Sequence, residues 1–145
     1  MRLIMRKASV HWKGAANGGA RTITTESGAL MQTHYSPGLP FKGNAGTTNP
    51  AELIAAAHAA SFALALSDEL RLASAARGDI VTTATVTLEH LAAGWTIMNI
   101  HLGVVARLPR LTQGEFIDAT VRAKTSCVVS RLLRANISMN AKLEK

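Results

Sequence analysis

Apolar and polar residues alternate over short runs at the start of the chain. KASVHWKG (residues 7–14) and RTITTESG (21–28) are alternating or β-branched, and GALMQTHY (28–35) follows directly, so together they predict a small N-terminal meander. SPGLPFKGNAGTTNP (36–50) then gathers three prolines and three glycines. That makes a connection longer than most and a candidate functional loop. The period next lengthens to that of a helix. Asn49 suits the N-cap, Pro50 the first helical position and Glu52 the third, and the helix is expected to run to about residue 75. GDIVTTATVTLEH (78–90) and GWTIMNIHLGVVARL (94–108) read as two long strands joined at LAAG. Thr112 and Glu115 form a T-x-x-E box opening a second helix, expected to end near residue 134. ANISMNAKL (135–143) alternates Ile137, Met139, Ala141 and Leu143, a closing strand with one covered face. The predicted order is β-β-β-α-β-β-α-β. No repeat or interdomain linker breaks it, so the reading is a single α+β domain over residues 1–145.

The first helix is the unusual element. For more than three turns, from residue 53 to 66, its only polar side chains are His58 and Ser61. A helix apolar nearly all round must be covered on every side, and one domain of this size has little with which to cover it. A second copy of the chain would supply the cover, so a homodimer is expected. Hydrophobic residues make up 48% of the chain but aromatics only 4%, so the core must be built from small and aliphatic side chains.

The apolar run of residues 53–66 falls short of the ~20 residues needed to cross a bilayer, and no membrane partner is expected. MRLIMRKAS lacks a long apolar segment and a small-residue cleavage site, so the expected compartment is the cytoplasm. The net charge of +7 permits contact with anionic surfaces. Its bases are scattered from Arg2 to Lys145, and only Arg107, Arg110, Arg122, Lys124, Arg131 and Arg134 group loosely. With neither an aromatic RNA-binding run nor zinc-finger spacing, nucleic acid is not expected as a partner.

Four sets of residues are candidates for chemistry. Ser61 lies three residues after His58, so both can share a helix face as a nucleophile–base pair. No G-x-S-x-G elbow, orienting acid or oxyanion hole is signalled, and a packed, hydrogen-bonded His58 beside a buried serine is the plainer reading. Cys127, the single cysteine, is read within the second helix, flanked by Lys124 and Arg131. Two cations favour thiolate, although a free cysteine is more often a small buried hydrophobe. Glu52 is a candidate carboxylate beneath the loop, but the N-x-x-E spacing favours a capping role. His34, His90 and His101 lie at strand positions without metal-ligand spacing, so neither a zinc site nor any other cofactor is expected.

Longer stretches carry a resemblance. KASVHWKG, TTESGAL, FKGNAGTTNPAELIAAAHAASF and FIDATVRAKTSCVVS together resemble the OsmC branch of the OsmC/Ohr family of bacterial organic hydroperoxide reductases. The G-T-x-N-P-x-E-L-I-x-A-A-H-A-A segment is the most specific, and the second helix repeats the family's A-K-x-x-C-x-V-S pattern. The resemblance spans nearly the whole chain. It implies an intertwined homodimer, with two central helices wrapped by sheets from both chains and active sites at the interface. It further implies a peroxidatic cysteine on the first helix, oxidised to a sulfenic acid and resolved by a cysteine on the second. A loop arginine and a glutamate near the first helix's start hold the thiolate.

Residue by residue, the carry-over is incomplete. The peroxidatic position, after A-H-A-A, is Ser61, while the resolving position is Cys127. The proline that commonly follows the resolving cysteine is replaced by Val128. The family's glutamate position is Ala51, with Glu52 as its neighbour. The family's arginine position is Pro40, and Arg21 is the nearest substitute from the meander. A serine forms no sulfenic acid, and four departures on one site point to divergence of the site as a whole.

The expected function is that of an oxidative- or osmotic-stress protein on the thiol-dependent hydroperoxide reductase scaffold. Its own peroxidase activity is expected to be weak or absent. The rival readings are a protein binding an apolar small molecule in the former peroxide pocket, and a one-cysteine peroxidase pairing Cys127 with an external thiol reductant.

Overall fold

The computed structural model of the chain describes residues 1–14, 19–36, 46–72 and 77–144. They form a mixed α+β structure with two three-stranded sheets and three helices. Backbone contacts divide the chain into two compact units, Met1–Leu53 and Ile54–Lys145.

The first unit holds the expected meander. Strands β1 (Ala8–Lys13), β2 (Ala20–Thr25) and β3 (Thr33–His34) pair antiparallel in sequence order. The sheet buries little of itself: every residue of β1 is exposed, and Ile23 is the one buried residue of the three strands. Tyr35 bridges Thr48 in parallel, and Ser36 N–H donates to the Thr48 carbonyl at 2.9 Å, which brings the chain to the start of helix α1. Most of the Pro- and Gly-rich connection, including Pro40, lies outside the described residues.

Helix α1 spans Pro50–Leu72, and the rest of its expected length, to residue 75, lies outside the described residues. Asn49 Oδ1 accepts from Glu52 N–H at 2.8 Å, as an N-cap should. The Glu52 carboxylate does not close the box, because its Oε1 accepts from the Thr48 hydroxyl at 3.4 Å. Within the second unit α1 presents His58, Phe62, Leu66 and Leu70, four residues apart in turn and all buried. Burial of each large side chain in this stripe contributes about 1.5–3 kcal/mol. The whole stretch Pro50–Arg71 is long and apolar enough to cross a bilayer, which corrects the shorter span read from residues 53–66. Phe62, Leu66 and Leu70 instead belong to the hydrophobic core.

That core is completed by the second sheet and helix α2. Strands β4 (Asp79–Leu91) and β5 (Gly94–Arg107) form the predicted hairpin, and β6 (Asn136–Glu144) pairs parallel with β5. Gly94, at φ +113, takes the left-handed turn that re-enters β5. Gly78 lets β4 start beside β5, since a Cβ there would run into the Arg107 carbonyl. Alternation sends Leu102, Val104, Ala106 and Leu143 inward, with Ile137, Met139 and Ala141 packed against them. Thr112 and Glu115 make the full capping box of α2 (Gln113–Ser126), whose Phe116, Ala119 and Ala123 complete the packing.

The second helix does not run unbroken to residue 134. It stops at Ser126, Cys127 adopts φ −57 and ψ 119, and a short helix α3 (Val128–Leu132) follows. An extended ψ at one residue turns the chain between two helical segments. Cys127 therefore sits at a break and not on a helix face.

Candidate functional site

The break is where the candidate residues meet. Cys127 Sγ donates to Ser61 Oγ at 3.2 Å, joining the start of α3 to the middle of α1. Val129 N–H also points at Ser61 Oγ, at 3.4 Å. His58, one turn earlier on α1, places Nε2 at 2.7 Å from the Ser130 hydroxyl. The candidate His58–Ser61 pair thus does not form: Ser61 bonds to Cys127 and Val129, and His58 to Ser130. His58 is packed and hydrogen-bonded, as the plainer reading held.

Burial and hydrogen bonding set the electrostatics. Burial pushes the Cys127 thiol up, yet the hydroxyls of Ser130 and Ser61 and the backbone N–H groups of Ser130 and Val129 outweigh it, so its pKa lies below the ordinary value. Lys124 and Arg131, expected to act on the sulfur, are not among the groups that shift it. The non-helical turn at Cys127 breaks the i−3, i+4 geometry, and both cations line a separate groove with Val121, Thr125, Ser130, Ile137 and Met139. Burial lowers the His58 pKa, so the ring is held neutral. Its Nδ1 is buried with no hydrogen-bond partner among the described residues.

Ser61 also faces outward. With Leu64, Ala65, Asp68, Glu69, Ser126 and Val128 it lines a cavity of about 360 Å³. Leu64, Ala65 and Val128 make part of the wall apolar. The carboxylates are tied back, Asp68 to Arg71 at 3.3 Å and Glu69 to Arg122 at 2.7 Å. Cys127 is fully buried and does not line this cavity, so a molecule in it meets the serine hydroxyl and not the sulfur.

The remaining candidates are placed elsewhere. Arg21 lies on β2 in the first unit, its guanidinium 5.6 Å from the centre of the Trp12 ring. Glu52 is exposed in the first turn of α1, and Ala51 is buried beside it. His34 is on β3, His90 packs edge-on to Trp95, and His101 Nδ1 lies 2.7 Å from Ser138 Oγ. No group of His, Cys, Asp or Glu suited to a metal occurs among the described residues. Ser130 was missed by the sequence reading, although it is the serine that ends the A-K-x-x-C-x-V-S pattern.

Residues 43–142 match the model of the OsmC-like protein family. Peroxiredoxin OsmC of Escherichia coli (strain K12) is 40% identical over 141 residues, covering 97% of this chain and 98% of that protein. Among solved structures, an OsmC-like protein of unknown function from Vibrio cholerae aligns with a TM-score of 0.75 at 16% identity, over 96% of this chain and 99% of that one. The organic hydroperoxide resistance protein OhrB of Bacillus subtilis aligns with a TM-score of 0.67 at 24% identity, over 99% and 100% of the two chains.

Proposed function

Because the chain belongs to the OsmC-like family, we propose that it is a stress protein on the organic hydroperoxide reductase scaffold whose own thiol peroxidase turnover is weak or absent. It takes an organic hydroperoxide, or an apolar molecule of similar shape, into the cavity beside Ser61. One observation carries this reading: the side chain offered to that cavity is a hydroxyl, and the chain's single thiol is fully buried and does not line it. A hydroxyl without a strong base is a poor nucleophile and forms no sulfenic acid. In these terms Ser61 holds the peroxidatic place and Cys127 the resolving one. Ala51, with Glu52 next to it, holds the glutamate place, and Arg21 is the weak substitute for the arginine place at Pro40.

The same reading includes a cytoplasmic homodimer of one domain per chain. It is supported by α1, where only 22% of the most apolar stretch is buried and Leu64 is 70% exposed. Unfolding midpoints should then rise with protein concentration. A folded monomer with a concentration-independent midpoint contradicts the dimer.

The function is tested by mixing the unmodified chain with an aryl alkyl hydroperoxide and a dithiol, and by titrating in the corresponding alcohol. Saturable binding of the alcohol with slow peroxide loss is expected, and rapid turnover overturns the reading. A second reading, a one-cysteine peroxidase using an external thiol, is favoured by the hydrogen bonds that lower the Cys127 pKa. Turnover abolished by alkylating Cys127 would select it.

A further inference from the structure

Two recesses border α3, and the charges that line them are opposite. The cavity beside Ser61 is walled in part by Asp68 and Glu69. The groove beside Ser130 carries Lys124 and Arg131 instead, in a volume of about 500 Å³. The two acids are each paired with an arginine. Neither the Lys124 nor the Arg131 side chain has an ion pair or a hydrogen bond among the described residues.

The walls of the groove come from three elements. On α2, Val121 and Thr125 lie one turn apart, with Lys124 beside them. Alternation along β6 turns Ile137 and Met139 to one face. The short helix α3 adds Arg131 and Ser130, whose Oγ lies 2.7 Å from the Nε2 of the buried His58. A hydroxyl already held by a buried ring loses little freedom when a ligand meets it. Val121, Ile137 and Met139 thus make an apolar floor beside two unpaired cations. This is not a solvated basic face, because Lys124 is half-buried and Ile137 and Met139 pack against the core.

We propose that this groove is a second binding site, and that it takes the anion of a medium-chain alkyl carboxylic acid. The planar fork of Arg131 matches a carboxylate, and Lys124 supplies a second charge on a flexible stem. The alkyl chain covers Val121, Ile137 and Met139, where the methionine thioether adapts to the chain it meets. The volume falls within the ~300–1,000 Å³ range of small-molecule sites. Other ligands fit less of the groove. Inorganic phosphate leaves the apolar floor uncovered, and no aromatic side chain lines the groove to stack a nucleobase. A neutral alcohol gains nothing from the cations and has the cavity beside Ser61 open to it. The inference goes beyond the proposed function and does not rest on it, since neither Ser61 nor Cys127 lines the groove.

The test is a titration of the unmodified chain with decanoate, followed in NMR by carbon-13 labels on the methionine and alanine methyls. The Met139 signal, assigned by its loss in Met139→Leu, should shift saturably. Decanol keeps the chain without the charge and acetate the charge without the chain, and each should bind ~10-fold more weakly or worse. Lys124→Gln and Arg131→Gln should each weaken decanoate by about tenfold and leave the unliganded fold unchanged. Added salt should weaken it as well. Decanol that binds as tightly as decanoate, or a decanoate affinity unmoved by both charge variants, overturns the proposal. Inorganic phosphate binding as tightly as decanoate would make this a plain anion site, which overturns it too. Decanoate that shifts the Ala65 methyl and not Met139 would place the ligand beside Ser61, in favour of the proposed function and against this inference. If the charge variants change the sedimentation of the chain and not its affinity, the groove is a contact between copies, and the inference fails.

Discussion

The two units differ in how much of themselves they bury. The sheet of the first unit leaves Val10 and Trp12, on one face of β1, 57% and 52% exposed. The second unit encloses a continuous core from Phe62 through Leu143. The candidate residues divide along the same line. Arg21 and Glu52 fall in the first unit, and Ser61 and Cys127 fall in the second. The second unit has the packing to hold two side chains at hydrogen-bond distance across 66 residues of sequence. The lesson is that two side chains far apart in sequence are held at bonding distance where a core fixes them.

The sharpest break of this contrast is in the core. Phe62→Ala removes a fully buried ring from the core that also holds Leu66, Leu102 and Val104, and should cost about 3–5 kcal/mol in denaturant unfolding. A loss below ~1 kcal/mol would mean that the second unit is not the rigid holder of the site.

Next comes the division of charged groups. Adding Ala51→Glu and Pro40→Arg to Ser61→Cys should raise hydroperoxide turnover by ~10²–10³ over Ser61→Cys alone, the scale of losing preorganised electrostatic groups. Their joint effect should exceed the product of the separate ones. Equal rates for the single and triple variants would show that Arg21 or another group already supplies the charge.

A smaller effect follows from His58. Its folded pKa lies below the unfolded value because of burial. The unfolded chain therefore binds the extra proton first, so stability is full above about pH 6.5 and falls as pH drops toward the folded pKa. In His58→Gln this part of the acid dependence should vanish. An unchanged acid profile would assign it to other groups.

The smallest expected effect is in the first unit. Val10→Thr should change stability by no more than about 0.5 kcal/mol at low protein concentration, since its side chain faces outward. A loss above ~1 kcal/mol that grows with concentration would show this sheet to be covered by a second copy, and would erase the contrast in burial.

Much of the fold was legible because local rules decide it. The Thr112–Glu115 box, the LAAG hairpin and the alternation from Ile137 to Leu143 each follow from neighbours a few residues apart. The break at Cys127 was not legible. Residues 116–134 keep a helical pattern without Gly or Pro, and the residue after Cys127 is Val128, not a proline that would have signalled an extended preceding residue. Cys127 is extended nonetheless, with its thiol donating to Ser61 on α1. The His58–Ser130 bond was equally hidden, because it spans 72 positions and periodicity reports only a residue's own helix. Spacing placed Ser61 and His58 on one element, but only the tertiary fold shows that each faces a different partner.

The central claim is that Ser61 occupies the place of a missing sulfur within reach of Cys127. It is tested most directly by counting thiols after one equivalent of an aryl alkyl hydroperoxide, in the unmodified chain and in Ser61→Cys. In the variant, peroxide should oxidise the new thiol to a sulfenic acid with release of the alcohol. Cys127 should then displace water to give one intramolecular disulfide and no free thiol. The unmodified chain should keep its single thiol through the same treatment. A variant that is oxidised without forming the disulfide, or an unmodified chain that loses its thiol as fast, would contradict the account.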